Sequence, residues 1–198
     1  MPRLWTQTIE EHRREVRDAI VMTTEALVVR DGLRSVTMSQ IAEETGIGRA
    51  TLYKYFPDVE SILRAWHEDQ IAAHLHHLAE VRDRAGSPEE ALPAVLEAFA
   101  MLSFGSRRHH DSDLSASLHR DEQVDRAETQ VHSMIRGLVL EGVEAGAIRD
   151  DVSANELASF CIRALGAAGD VSSRAAVHRI LELTLGGLRP ADSGTRSR

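Results

Sequence analysis

The sequence predicts an all-α protein of about nine helices, and three observations carry that prediction. Proline is absent from residues 3–56 and again from residues 94–189, and such long proline-free stretches favour helices because proline breaks helix interiors. Aromatic residues make up only 4% of the chain, which is low for an all-β fold. No segment shows the alternating pattern of a strand, and 42% hydrophobic residues in 198 positions suffice for a sizeable core.

Four helices are expected in the N-terminal third, at residues 8–30, 38–45, 48–55 and 59–84. Thr37 followed by Gln40 forms a capping-box pattern at the start of the second helix, and Gly46 ends that helix. Pro57 interrupts the chain after the third helix, and Asp58 then caps the fourth.

The rest of the chain predicts further helices at residues 87–105, 114–118, 121–145, 153–168 and 172–187. Ser87 before Pro88 is a typical helix start, and Ser153 with Glu156 repeats the capping box. We therefore expect a small domain at residues 1–57, a larger one at 58–189, and a disordered tail at 190–198.

Charge is distributed unevenly along the chain. Residues 1–66 hold nine basic and ten acidic side chains, a net charge of −1, whereas residues 67–198 carry a net charge of −7. Only the N-terminal third can therefore approach a polyanion without strong repulsion. Lys54, the only lysine of the chain, lies in this third between its only two tyrosines, Tyr53 and Tyr55.

Residues 37–56 have the pattern of a helix-turn-helix motif, two short helices joined by a glycine turn. Ala42 stands where the two helices would cross, and only a small side chain fits there. Gly46, four residues later, allows the left-handed backbone of the turn. The second short helix would enter the major groove of DNA, where Arg49 can pair with guanine and Lys54 can neutralise a phosphate. The candidate DNA-binding residues are Thr37, Ser39, Gly48, Arg49, Ala50, Thr51, Tyr53 and Lys54. We expect Tyr55 and Phe56 to lie largely in the core.

Residues 13–70 contain the strings RDGLRSVTMSQIAEETGI, RATLYKYFPD and VESILRAWH. In these strings the chain resembles the TetR family of bacterial transcriptional regulators. The resemblance implies a homodimer in which each subunit has a three-helix DNA-binding head and a C-terminal regulatory bundle. It also implies a repressor that binds a palindromic operator and is released when a small molecule enters the bundle. Tilting of the fourth helix would couple the two events.

Two positions depart from the family pattern. Val59 stands where the family usually has a lysine that contacts phosphate, and Gly48 stands where serine or threonine often opens the recognition helix. We therefore expect modest DNA affinity with a shallow salt dependence.

Within the bundle, the resemblance directs attention to a ligand pocket and a dimer interface. The large apolar side chains favour an apolar or aromatic ligand, and the candidate lining residues are Trp66, Phe99, Met101, Phe104, Met134, Leu138 and Phe160. Small residues and leucines on the last two helices favour a four-helix dimer interface. Its candidates are Leu157, Ala164, Leu165, Ala168, Ala176, Ile180 and Leu181. Packing within one subunit is the alternative explanation for both sets.

Other classes of protein are disfavoured. The sequence has no zinc-protease, phosphate-loop or nucleophile-elbow motif, and no histidine follows a glutamate by three residues, so neither enzyme activity nor a cofactor is predicted. Four histidines lie on the fourth helix, at positions 67, 74, 76 and 77, but their spacing does not favour a metal site over solvated or pocket-lining side chains. The single cysteine excludes an intramolecular disulfide, and no leader or membrane span is visible, so a cytoplasmic location is expected. A DNA-binding protein that has no small-molecule ligand, and acts structurally or through a protein partner, remains the alternative function.

Overall fold

The structure, a computed structural model, describes residues 3–32, 35–106 and 122–190. Within these ranges it contains eight α-helices and one short 3-10 helix and no strand, so the predicted all-α class is confirmed. The α-helices are α1 (Arg3–Asp31), α2 (Met38–Thr45), α3 (Arg49–Tyr55), α4 (Val59–Arg84), α5 (Pro88–Ser106), α6 (Glu122–Glu144), α7 (Ala154–Gly166) and α8 (Arg174–Leu188). The 3-10 helix, Ala167–Asp170, follows α7. The chain divides into two compact units, Met1–Gln70 and Ile71–Arg198. That division falls inside α4, whereas the sequence places the domain boundary at the start of this helix.

The first unit is built around one apolar cluster. Each of its four helices contributes a fully buried side chain: Ile20 from α1, Ile41 from α2, Leu52 from α3 and Ile62 from α4. Burying a side chain of this size stabilises a fold by roughly 1.5–3 kcal/mol. Two short helices of eight and seven residues are too short to be stable alone, so this shared cluster holds α2 and α3 in place.

The second unit has a larger apolar cluster of its own. It takes side chains from the rest of α4 and from all four later helices, among them Leu78, Val95, Leu96, Ile135, Val139, Leu165 and Leu181. The packed helices enclose Cys161, whose thiol is fully buried. Burial raises the pKa of this thiol to about 11, which keeps it protonated and unreactive at neutral pH.

Helix starts follow the predicted caps closely. The Ser153 hydroxyl accepts a hydrogen bond from Glu156 N at 3.3 Å, and the Glu156 carboxylate accepts one from Ser153 N at 3.1 Å. Asp58 caps α4 by accepting a hydrogen bond from Ser61 N at 2.7 Å. Of the two serines predicted to cap the last helix, Ser173 does so, through a 3.3 Å hydrogen bond from Ala176 N.

Several helix ends differ from the predicted ones by one or more residues. α1 begins at Arg3 rather than near residue 8, and no proline or glycine in that stretch opposes the extension. α7 ends at Gly166, and the last predicted turn is a 3-10 helix. α8 runs through its two glycines to Leu188, because Leu188 is buried and its packing outweighs the low helix propensity of glycine. The helix predicted at 114–118 and the tail beyond residue 190 lie outside the described residues.

Candidate nucleic-acid interface and regulatory unit

The turn between α2 and α3 is fixed by hydrogen bonds that the sequence specifies. Thr37 and Gln40 form the complete capping box, with Gln40 N donating to the Thr37 hydroxyl at 3.3 Å and Thr37 N donating to Gln40 Oε1 at 2.9 Å. Gly46 adopts φ +70°, the left-handed conformation that suits glycine. Its N–H donates to Glu43 O at 3.2 Å, and Ile47 N donates to Ala42 O at 3.1 Å. These contacts satisfy the last carbonyl groups of α2 and direct the chain into α3.

α3 is anchored on one side only. Leu52 is fully buried in the cluster of the first unit, and Ala42 of α2 is 5% exposed. Phe56 closes the helix through a 3.0 Å hydrogen bond from its N–H to Leu52 O, and its side chain is 7% exposed. Tyr55 is half-buried against the same cluster. The core role expected for Phe56 is therefore confirmed, and that of Tyr55 is partial.

The predicted DNA-binding residues lie at the start of α2 and along α3 with its N-cap. Exposed residues in this set are Thr37, Gly48, Arg49, Ala50, Thr51, Tyr53 and Lys54, while Ser39 is half-buried. Tyr53 leaves 55% of its surface in solvent despite its aromatic ring. Neither Arg49 nor Lys54 forms an ion pair with any described residue. The outward face of α3 therefore presents two unpaired cations and a phenol, a combination that suits an anionic partner.

Two ion pairs that sequence reasoning missed link helices of the first unit. Arg17 of α1 donates to Asp69 of α4 through both terminal nitrogens, at 2.9 and 3.4 Å. Arg30 of α1 donates to Glu44 of α2 at 3.1 Å and also pairs with Asp31. The hydrogen bond that Arg17 donates to Asp69 raises the pKa of Arg17, so this guanidinium is charged at every physiological pH. Arg17 and Asp69 are 52 positions apart, so no local pattern could have revealed the pair.

The predicted ligand-pocket residues are distributed over both units. Trp66 belongs to the first unit, where it packs against that unit's apolar cluster. The other six belong to the second unit, and four of these are half-buried around its core: Phe99, Met101, Phe104 and Met134. Leu138 is buried and lines a largely apolar cavity of about 160 Å³ near the C-terminal ends of α6 and α8.

Phe160 is the clearest departure within this set. It is 45% exposed, so it lies on the surface of the protomer and not in its interior. Its ring packs over Gly187 of α8, where an added Cβ would lie 3.3 Å from the ring carbons. Gly187, which the sequence suggested as a helix stop, instead provides the space for this ring.

The predicted dimer-interface set needs correction. Four of its members are buried inside the protomer and cannot present a surface to a second subunit: Leu157, Leu165, Ala168 and Leu181. The remaining three, Ala164, Ala176 and Ile180, are half-buried. The large apolar side chains that α7 and α8 do expose are Phe160 and Leu183, the latter at 76%. The error has a simple cause, because an apolar spacing shows that a helix has a buried face but not which partner covers it.

The histidines of α4 have ordinary surroundings. His74 is half-buried, and burial together with the nearby His77 lowers its pKa. His76 has an acidic neighbour that sequence reasoning missed, since its Nε2 lies 3.3 Å from Glu80 Oε1 one helical turn away. Among the described residues no three histidine, cysteine or acidic side chains are grouped so as to hold a metal ion. Of the described helices, none has the length and apolar content needed to cross a membrane.

Comparisons with known proteins cover both units. Residues 20–66 match the family model "Bacterial regulatory proteins, tetR family", and residues 87–190 match "Transcriptional regulator SbtR-like, C-terminal domain". A fatty acid metabolism regulator protein from Bacillus subtilis (strain 168) is 19% identical over 128 residues. That match spans 63% of this chain and 66% of the relative, just under two thirds of its length.

Three solved structures share the fold. A TetR/AcrR-family transcriptional regulator from Thermobifida fusca YX-ER1 superposes with a TM-score of 0.71 at 19% identity, covering 87% of this chain and 98% of the other. The fatty acid degradation regulator FadR from Bacillus halodurans gives 0.62 at 17% identity, covering 92% and 97%. FadR from Bacillus subtilis in complex with stearoyl-CoA gives 0.58 at 17% identity, covering 86% and 98%. With a family model matched over more than half of its length and a helix-turn-helix in the first unit, this chain belongs to the TetR family of bacterial transcriptional regulators.

Proposed function

We propose that this TetR-family regulator is a dimeric repressor that binds a palindromic operator through α3 and is released by a small apolar or aromatic ligand. The observation that carries the proposal is the outward face of α3, where Arg49, Tyr53 and Lys54 are exposed and no described residue pairs with either cation.

The chemistry of this face suits DNA. Arg49 can donate two hydrogen bonds to the edge of a guanine, and Thr51 can contact a thymine methyl group. Tyr53 and Lys54 can reach phosphates, as can the Thr37 hydroxyl at the start of α2. Because Leu52 is fully buried, the helix that presents these side chains is firmly seated, and its contacts require little reorganisation.

Substitutions on α3 test this contact set. The wild-type chain first selects an operator from a random duplex library, and gel shifts at fixed salt then compare variants on that operator. We expect Lys54→Ala to weaken binding and to lower the salt slope by about one unit, the change expected for one lost phosphate contact. Tyr53→Ala should weaken binding without unfolding the chain, because more than half of the Tyr53 surface is exposed to solvent.

Arg64→Ala is the matched control for Lys54→Ala. Arg64 is also an exposed cation of the first unit, but it pairs with Glu60 at 3.3 Å along α4. An equal loss of affinity and of salt slope in Arg64→Ala would show that Lys54 acts only through general charge. Unchanged operator affinity in both Lys54→Ala and Tyr53→Ala would show that α3 does not contact the operator.

Dimerisation is proposed on the surface of α7 and α8 that includes Phe160 and Leu183. Two exposed large apolar side chains on packed neighbouring helices favour burial against a second copy. Sedimentation should therefore show a dimer for the wild-type chain and a monomer for Leu183→Arg. Met22→Arg is the control, since Met22 of α1 is 69% exposed but lies in the first unit. If Leu183→Arg stays dimeric, this surface is not the interface.

The proposed effector class rests on the bundle and on its relatives. Half-buried aromatic and methionine side chains surround the core of the second unit, and a fold neighbour was solved with stearoyl-CoA. Stearoyl-CoA and free fatty acids are therefore the first probes. We expect one of them to raise the unfolding temperature and to release the chain from its operator. If neither these nor a broad apolar set stabilises the chain, the alternative of a ligand-free DNA-binding protein is favoured.

A further inference from the structure

A polar cleft opens between α6 and α7, with a volume of about 420 Å³. From α6 it is lined by Asp125, Glu128, Thr129 and His132. These positions share one face of the helix, because residues three, four and seven apart lie above one another. From α7 it is lined by Ser159, Ile162 and Arg163. All but one of these side chains are polar, in contrast to the apolar contacts through which the same two helices pack.

A hydrogen bond joins the two walls of the cleft. His132 Nε2 lies 3.1 Å from Ser159 Oγ, and the Ser159 hydroxyl also donates to Asn155 O at 2.9 Å. A hydroxyl has one proton, so while Ser159 donates it to Asn155 O, Ser159 accepts a hydrogen bond from Nε2 of His132. This bond holds the imidazole against the α7 wall of the cleft.

Charges of opposite sign face each other across the cleft without pairing. Asp125 and Glu128 are exposed on the α6 wall, and Arg163 is exposed on the α7 wall. None of the three side chains forms an ion pair or a hydrogen bond with another described residue. Two walls that carry unpaired charges of opposite sign leave room for a molecule that carries both.

From this arrangement we propose that the cleft binds a small organic zwitterion, with its ammonium group against Asp125 and Glu128 and its carboxylate against Arg163. A metal ion does not fit, because the described residues offer no group of three ligands. A simple anion would meet two carboxylates, and a simple cation would leave Arg163 without a partner. The site is separate from the apolar effector proposed above, and a failure of either proposal leaves the other standing.

Calorimetric titration of the full chain tests the class of ligand. The probes are 5-aminopentanoate, pentanoate and pentylammonium, which share one carbon chain and differ only in their charged ends. We expect the zwitterion to bind with one site per chain, and each singly charged probe to bind at least about tenfold more weakly, since each lacks one set of charge-assisted hydrogen bonds. Shorter and longer ω-amino acids then define the distance between the two walls. If no member of this series binds, or if pentanoate or pentylammonium binds as well as the zwitterion, the proposal is overturned.

Variants locate the binding site. Arg163→Met should weaken zwitterion binding by about tenfold or more, and the double variant Asp125→Asn, Glu128→Gln should do the same. All these residues are exposed, so the unfolding temperature should not fall. Glu144→Gln is the control, because Glu144 is an exposed carboxylate on the same helix away from the cleft. Binding that survives both cleft variants, or that falls equally in Glu144→Gln, would contradict the assignment.

Discussion

The outward face of α3 and the outward face of α7 and α8 differ in the chemistry they leave in solvent. α3 exposes Arg49, Tyr53 and Lys54, whereas α7 and α8 expose Phe160 and Leu183. A face with unpaired cations suits a polyanion, because cationic side chains that neutralise phosphates release condensed counterions. A face with two large apolar side chains suits another apolar surface, because burial of those groups is favourable in itself.

The two faces are also supported differently. α3 has only seven residues and is fixed by the Gly46 turn and by the buried side chain of Leu52. α7 and α8 are fixed by a shared core in which Leu165 and Leu181 are buried. The first face therefore depends on a few backbone details, and the second depends on side-chain packing over a large area. Substitutions in the two regions should therefore lower stability for different physical reasons.

The largest expected effect is in the second unit, at Leu165. Leu165→Ala should lower the free energy of unfolding by about 2–5 kcal/mol, because it removes a fully buried side chain and leaves a cavity. Urea unfolding at several protein concentrations measures it. If Leu165 lies in the core of the protomer, the loss is the same at every concentration.

Leu183→Ala is the comparison for Leu165→Ala, since Leu183 is 76% exposed. Its cost should be small in the dilute monomer and should grow with protein concentration, because it would act through the dimer. A concentration-dependent cost for Leu165→Ala would instead return that residue to the subunit interface, as its sequence pattern first suggested.

Features of the fold that depend on local sequence patterns could be predicted from the sequence. Local signals such as the capping box of Thr37 and Gln40, or Pro57 after α3, act within a few residues and correctly predicted the start of α2 and the end of α3. The solvent exposure of Arg49, Tyr53 and Lys54 also followed from local spacing, since Leu52 on the opposite side of α3 is fully buried.

Contacts between distant helices carry no such local signal. Leu165 and Leu183 are both apolar residues on helices with an apolar face, and only the three-dimensional packing separates core from surface. The pairing of Arg17 with Asp69 and the cleft between His132 and Ser159 likewise join residues far apart in the chain. The second unit was therefore predicted in outline and not in its individual contacts.

An intermediate effect is expected in the first unit at the turn before α3. Gly46→Ala should lower stability by about 1–2 kcal/mol, because φ +70° is unfavourable for a residue with a Cβ atom. No atom lies within 4 Å of the added Cβ, so the loss of stability reports the unfavourable backbone conformation and not a steric clash. Gly48→Ser is the control, since Gly48 has φ −66° and serine is a good N-cap. Thermal unfolding should show a loss for the first variant and none for the second; equal losses would mean that the turn is not under this constraint.

The smallest effect is expected for the ion pair between α1 and α4. Arg17 and Asp69 have side chains 33% and 50% exposed, so solvent screens their attraction and their coupling should be about 0.2–1 kcal/mol. A double-mutant cycle with Arg17→Met and Asp69→Asn measures it by urea unfolding. The coupling should shrink at about 1 M salt, where screening is strong.

A cycle on Arg64 and Glu60, which pair within α4, gives the value for a purely local pair. If Arg17 and Asp69 hold α1 against α4, breaking them should also change operator affinity, whereas breaking Arg64 and Glu60 should not; no coupling and no change in affinity would leave the apolar cluster alone to join the two helices.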